Sequence, residues 1–267
     1  MRAGFALAQL IALPYTPPQM VKLAAEAGCT GVGVRLLPTT PGGRCYPLME
    51  DAAMLRKTLA VIADTGVKVL DLEVLRIGEH FDVGSHERFL EVGKLLGARH
   101  ILVAGDDPDE ARLTASFEAL CRAAARFDLS CDLEFMPWTR VPDVKTAARI
   151  VRAVACGNAG VLVDALHFAR SGSTLEDVRA LDPSWLHYAQ ICDGPVPGPD
   201  TVDGLIHAAR CERMLPGEGQ LALRALFDAL PADIQVSIEV PSDTRAPQIG
   251  YEAWARAAVS AAADVLG

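Results

Sequence analysis

At 267 residues, 51% of them apolar, the chain is long enough for one large α/β barrel or two small domains. A formal net charge of −9 argues against nucleic acid as a partner, although a metal in a cleft still lets an acidic protein bind a small anionic substrate. Seven cysteines, an odd count with no Cys-x-x-Cys pair, argue against a disulfide framework or a thiolate zinc site and fit a reducing compartment.

Residues 1–13 are apolar with one arginine, but Gln9 interrupts the run and Pro14-Tyr15 follows without a clear cleavage site. The alternation of Phe5 and Leu7 predicts a first strand instead. No apolar stretch approaches the ~20 residues of a membrane span, so the expectation is a soluble, cytoplasmic protein with no membrane partner. Strand-like runs follow near residues 3–9, 30–36, 67–73, 99–104, 128–135, 160–164, 185–192 and 234–240. Helical spacing lies between them, over 19–27 after Pro17-Pro18, then 48–63, 110–127, 221–230 and 251–266. Eight alternations predict an α/β fold, a (β/α)₈ TIM barrel forming one domain over 1–267; a doubly wound open sheet is the alternative. No glycine-rich dinucleotide fingerprint follows the first strand. A homo-oligomer stays open, with no heptad or apolar patch to mark it.

Side-chain parity adds a second argument, because strand residues alternate faces. In 129–135 the apolar set is Leu129, Cys131, Leu133 and Phe135, and the polar set is Ser130, Asp132 and Glu134. In 234–240 the sets are Ile234, Val236, Ile238 and Val240 against Gln235, Ser237 and Glu239. The polar sets are expected inside the barrel, where a carboxylate is costly unless paired or bound to a metal. Asp71 and Glu73 repeat the pattern on the third strand.

Four strand-like runs end in oxygen-bearing side chains: Glu134, Asp164, Gln190 and Glu239. They are expected to converge on one divalent metal, and an all-oxygen set suits Mg²⁺, Mn²⁺ or Co²⁺ better than zinc. His167, three residues after Asp164, either adds a nitrogen ligand or faces the substrate as an acid/base group; the second is the expectation. Arg35, Arg76, Arg170 and Arg213 are candidates to orient an anionic tail, and Glu73 to face the mouth. His100 reads as a packed histidine near a strand start. The Pro- and Gly-rich segment 194–219 is expected to be an insertion after the seventh strand, partly a lid.

These residues resemble the sugar phosphate isomerase/epimerase superfamily, the xylose isomerase-like barrels. The resemblance rests on Leu133-Glu134-Phe135, Val163-Asp164-Ala165-Leu166-His167-Phe168 with Arg170, Gln190-Ile191-Cys192-Asp193, Pro216-Gly217-Glu218-Gly219 and Ile238-Glu239-Val240. Gln190 stands where many relatives carry histidine, a departure shared by the inosose isomerases and the 3-dehydroshikimate dehydratases. The resemblance implies that Glu134, Asp164, Gln190 and Glu239 hold the metal and that His167 contacts a small-molecule substrate. In the resembled epimerases Glu134 and Glu239 exchange the proton; in the resembled dehydratases His167 is the base. The implied activity is metal-dependent isomerisation or epimerisation of a small sugar, polyol-derived ketone or sugar phosphate through a metal-held enediolate, with a dehydratase of the 3-dehydroshikimate type as the alternative. An abasic-site endonuclease shares the barrel but needs several clustered histidines and a DNA-binding surface, which six histidines and an acidic balance do not suggest.

Overall fold

A computed structural model describes residues 4–267; residue 3, the first of the predicted first strand, lies outside the described residues. Eight parallel strands close into a barrel in sequence order. They are β1 (Ala6–Leu7), β2 (Gly31–Arg35), β3 (Lys68–Ile77), β4 (His100–Gly105), β5 (Ser130–Glu134), β6 (Ala159–Asp164), β7 (Tyr188–Ile191) and β8 (Gln235–Ile238). Ala6 and Leu7 pair with Ser237 and Ile238, which closes the ring. β1 is shorter than its apolar run because Gln9 leaves the ladder. Its N–H goes to Glu73 Oε1 at 2.7 Å, and residues Gln9–Ala12 coil into a 3₁₀ turn.

Among the described residues, eleven α-helices surround or cap the barrel: α1 (Pro17–Glu26), α2 (Ala52–Thr65), α3 (Glu87–Leu96), α4 (Glu110–Ala125), α5 (Val144–Val154), α6 (Ala165–Arg170), α7 (Leu175–Arg179), α8 (Val202–Cys211), α9 (Leu223–Asp228), α10 (Arg245–Ile249) and α11 (Tyr251–Leu266). α2 begins later than its apolar pattern predicts. Asp51 accepts the Met54 N–H at 2.9 Å and so fixes the first turn. Among the described residues, no helix is long and apolar enough to cross a membrane.

The outer parity joins the main core between strands and helices, with Leu129, Cys131, Leu133, Phe135, Ile234, Val236, Ile238 and Val240 all buried there. A second, smaller cluster fills the barrel itself: Ala6, Leu70, Val74, Leu102, Ala104, Met136, Leu162 and Tyr188. β3 departs from simple alternation. Its register slips against β2 and again against β4, so Leu70 and Val74 join the interior cluster while Asp71 reaches interior Tyr188 at 3.1 Å. The apolar interior thus forms a floor, and the polar strand ends stand above it.

Candidate active site

Asp164 ends β6 and caps α6: its Oδ1 accepts the His167 N–H at 2.9 Å. One short run therefore fixes both the carboxylate and the imidazole three residues on. Gln190 is the pairing partner of Asp164 on β7. Glu239 follows β8, its N–H bonded to Ile191 O at 3.1 Å, while Glu134 ends β5. Arg213 joins two of these groups, with Nη1 at 2.6 Å from Asp164 Oδ2 and Nη2 at 2.8 Å from Glu239 Oε2. Its Nε–H donates to Ala209 O at 2.8 Å, which ties the guanidinium to α8. His167 Nε2 lies 3.7 Å from Glu134 Oε1, and Trp138 meets the imidazole edge-on at 5.1 Å between ring centres.

Glu134, Asp164, His167, Gln190, Arg213 and Glu239 are all buried, and burial works against the charged forms of those that titrate. Burial, with the Glu239 and Asp164 carboxylates adding to it, pushes the Glu134 carboxyl well above its usual range. Burial also pushes Glu239 up to about 7, with Arg213 opposing. Asp164 goes the other way: burial would raise it, but Arg213, His167 and the backbone N–H outweigh burial. Burial draws His167 down to about 4, so its imidazole is neutral at neutral pH.

This chemistry fits a divalent cation. Gln190 is buried, with neither Oε1 nor Nε2 hydrogen-bonded to any described residue. Arg213 pairs with Asp164 and Glu239, while Glu134 has only the neutral His167 imidazole at ion-pair distance among the described residues, so the set is short of positive charge. Glu134, Asp164 and Glu239 do not draw together as tightly as a second group, His100, Asp132 and His187, whose ligand atoms all lie within 4.8 Å of one another. The guanidinium of Arg213 stands between Asp164 and Glu239.

A cavity of about 230 Å³ opens over the strand ends. Arg35, Arg76, Glu134, His167, Arg213 and Glu239 line it. Asp164 and Gln190 are fully buried and do not line it. Glu73, expected at the mouth, is buried and ion-paired with Arg35 at 2.7 Å. Arg76 pairs with Asp106 at 2.6 Å. Arg170 does not line the cavity: its Nη2 donates to Pro195 O at 2.6 Å while the side chain fills the space above Gly198. It props the loop after β7 because Gly198 leaves room for the guanidinium.

Segment 194–219 contains α8 and is fastened at its base. Asp193 Oδ1 accepts from Gly194 and Leu221 N–H groups, and Oδ2 from Gly217. Glu218 and Arg245 form a two-pronged ion pair. Those bonds hold the Pro216-Gly217-Glu218-Gly219 turn and, through the Asp193–Met214 bridge, the backbone beside Arg213.

Sequence reasoning missed Arg210, Trp138 and His187. Arg210 lines the cavity from α8, and its side chain makes no hydrogen bond or ion pair with any described residue. Burial and the neighbouring Arg76 and Arg35 charges lower its pKa. Asp132, expected inside and in need of a partner, has one: His187 Nδ1 at 2.7 Å.

A search of the curated proteins finds no match to the chain. Solved structures share the fold. The IolI protein with a bound zinc atom is 20% identical, with a TM-score of 0.80 over 98% of each chain. A xylose isomerase-like TIM barrel/4-hydroxyphenylpyruvate dioxygenase fusion protein is 20% identical, with a TM-score of 0.82 over 98% of this chain and 42% of that one, so this chain spans less than half of the fusion. The D-allulose 3-epimerase of a Methylomonas species, in complex with D-allulose, is 14% identical, with a TM-score of 0.70 over 98% of this chain and 97% of that one. The family model described as xylose isomerase-like TIM barrel matches residues 21–264, and the chain belongs to that family.

Proposed function

We propose that the chain is a divalent-metal-dependent isomerase or epimerase of a small sugar, polyol-derived ketone or sugar phosphate. The observation that carries this reading is the buried set Glu134, Asp164, Gln190 and Glu239, with an unpartnered amide and too little positive charge, beside an open cavity. Family membership supports it, as do the zinc atom in IolI and the D-allulose bound by the epimerase of like fold. The four residues would hold the ion, which when bound polarises a substrate carbonyl and acidifies the adjacent C–H.

The chain's own groups supply the proton chemistry. Glu239 lines the cavity and would take the proton from, and return it to, the carbon beside the carbonyl. Glu134, which also lines the cavity, would serve as the opposite partner. Arg213 holds Asp164 and Glu239 in place through Glu239 Oε2, leaving Oε1 without a bond to any described residue. His167 presents a neutral imidazole to the cavity, braced by Trp138.

A dehydratase of a carboxylated hydroxyketone is the second reading, favoured by the unpaired Arg210 and by neutral His167 as base. One experiment tests both. The Mn²⁺-loaded protein is incubated in D₂O with a panel of ketoses, cyclic hydroxyketones and carboxylated hydroxyketones. The leading reading predicts deuterium beside the carbonyl and a rearranged product by NMR; the second predicts an enone or aromatic product absorbing in the ultraviolet. Neither signal from metal-loaded protein across the panel refutes both.

A further inference from the structure

The end of the barrel away from the cavity holds a second group of ligand-type side chains that the proposed chemistry does not use. His100 opens β4, Asp132 lies in β5, and His187 immediately precedes β7. His187 Nδ1 is 2.7 Å from Asp132 Oδ1, and His100 Nδ1 is 3.5 Å from Asp132 Oδ2. The two imidazoles stack at 5.6 Å with 12° between their planes, so both offer Nδ1 to one carboxylate. Ser130 Oγ stands 2.6 Å from His100 Nδ1 and 2.7 Å from Asp132 Oδ2, a hydroxyl within reach of the same point.

The surroundings keep this group in place and open. A Cβ on Gly160 would fall 2.6 Å from His187 Nδ1 and even closer to Asp132 Oδ1, so only glycine backs the cluster. Asp132 is fully buried, while the His100 and His187 side chains are 13% and 21% exposed and give access from solvent. The ligand-type atoms of the three side chains all lie within 4.8 Å of one another. One carboxylate and two imidazoles, all from different strand entries, form a donor set that differs in kind from the all-oxygen set at the other end.

We infer that His100, Asp132 and His187 form a second divalent-cation site, one that takes zinc or its cobalt substitute, with solvent completing the coordination. Two nitrogens and one oxygen match the preference of zinc, whereas Mg²⁺ and Mn²⁺ favour oxygen ligands. Without metal, the His100 Nδ1–H donates to Ser130 Oγ, whose O–H donates to Asp132, and the His187 Nδ1–H donates to Asp132 Oδ1. Binding requires the Nδ1 lone pair of each ring, so each neutral imidazole shifts its proton to Nε2; a protonated His187 releases one proton to solvent. The ion then ties β4, β5 and the entry of β7 together at the barrel's base. This inference stands apart from the carbonyl chemistry, and its test reads metal rather than turnover.

The full-length protein, stripped of metal, is titrated with Co²⁺ and with Zn²⁺, and crystals soaked in Zn²⁺ are measured above and below the zinc edge. The expected result is an anomalous peak within bonding distance of His187 Nδ1 and Asp132. His187→Gln and His100→Gln should each lose one equivalent of bound zinc, weakening that site by more than about 100-fold. Glu239→Gln should keep that equivalent. The wild-type diffraction needs no variant to fold. No peak at this end in Zn²⁺-soaked wild-type crystals, or zinc stoichiometry unchanged in a folded His187→Gln, overturns the inference.

Discussion

The guanidinium of Arg213 holds the carboxylate of Asp164 at 2.6 Å, Nη1 to Oδ2, with both side chains buried. The same guanidinium reaches Glu239 at 2.8 Å, so one fixed cation is shared by two of the proposed metal ligands. Arg213→Met removes the charge and keeps much of the bulk. Losing one side of a buried pair costs about 3–5 kcal/mol, so the metal-free variant should unfold at markedly lower urea concentration. Added Mn²⁺ should recover more stability in the variant than in the wild type, since the ion takes over charge balance. Equal metal-free stability of the two proteins would show that the pair contributes nothing.

Glu239 sets a pH window. Its folded, metal-free carboxyl lies at about 7, raised first by burial; an unfolded glutamate titrates near ~4.3. Between those values the unfolded chain has lost the proton that the folded chain keeps. Stability of the metal-free protein should therefore be greatest below ~4.3 as far as this group is concerned, fall as pH rises, and level off above about 7. A bound cation displaces the proton, so metal affinity should rise with pH across the same window. Calorimetry at about pH 6 in two buffers of different ionisation enthalpy counts the protons released on metal binding; a count of zero contradicts the assignment.

His167→Asn separates a substrate-facing imidazole from a metal ligand. Asn keeps the helix start, because the cap runs from the backbone N–H of residue 167 to Asp164. The variant should bind Mn²⁺ as the wild type does and lose turnover by about 10²–10⁴-fold, the usual worth of a positioned acid or base. Metal content falling in step with activity would make His167 a ligand instead.

Much of this site could be read along the chain, and the reason is parity. The outer residues of β5 and β8 are apolar at every second position, so the polar residues between them, Glu134 and Glu239 included, had to point inward. Asp164 announces itself because the apolar run of β6 stops there. β3 was less legible: its two register slips put Leu70 and Val74 inside together with Asp71, which no period of two describes. The contact of Arg170 with the Pro195 carbonyl could not be read locally, because that carbonyl lies 25 residues away in a loop. His187 and Arg210 carry no local signal either. One acquires meaning only when β5 comes beside it, the other only when α8 lies over the strand ends.

Arg210 offers a cation to the cavity without a protein partner. Arg210→Gln should raise KM for substrates with a carboxylate or phosphate by at least about tenfold, in line with losing one charge-assisted hydrogen bond of about 1.5–3 kcal/mol. Neutral sugars should show little change. Steady-state kinetics on a matched pair of anionic and neutral substrates reads the difference, and equal effects on both would remove Arg210 from substrate recognition.

The central claim is that one divalent cation sits among Glu134, Asp164, Gln190 and Glu239. Crystals grown with Mn²⁺ and measured for anomalous scattering test it most directly. The account predicts a peak within about 2.0–2.6 Å of an oxygen from each of the four side chains. Manganese absent from that position at saturating concentration, or bound there without Glu239, would contradict it.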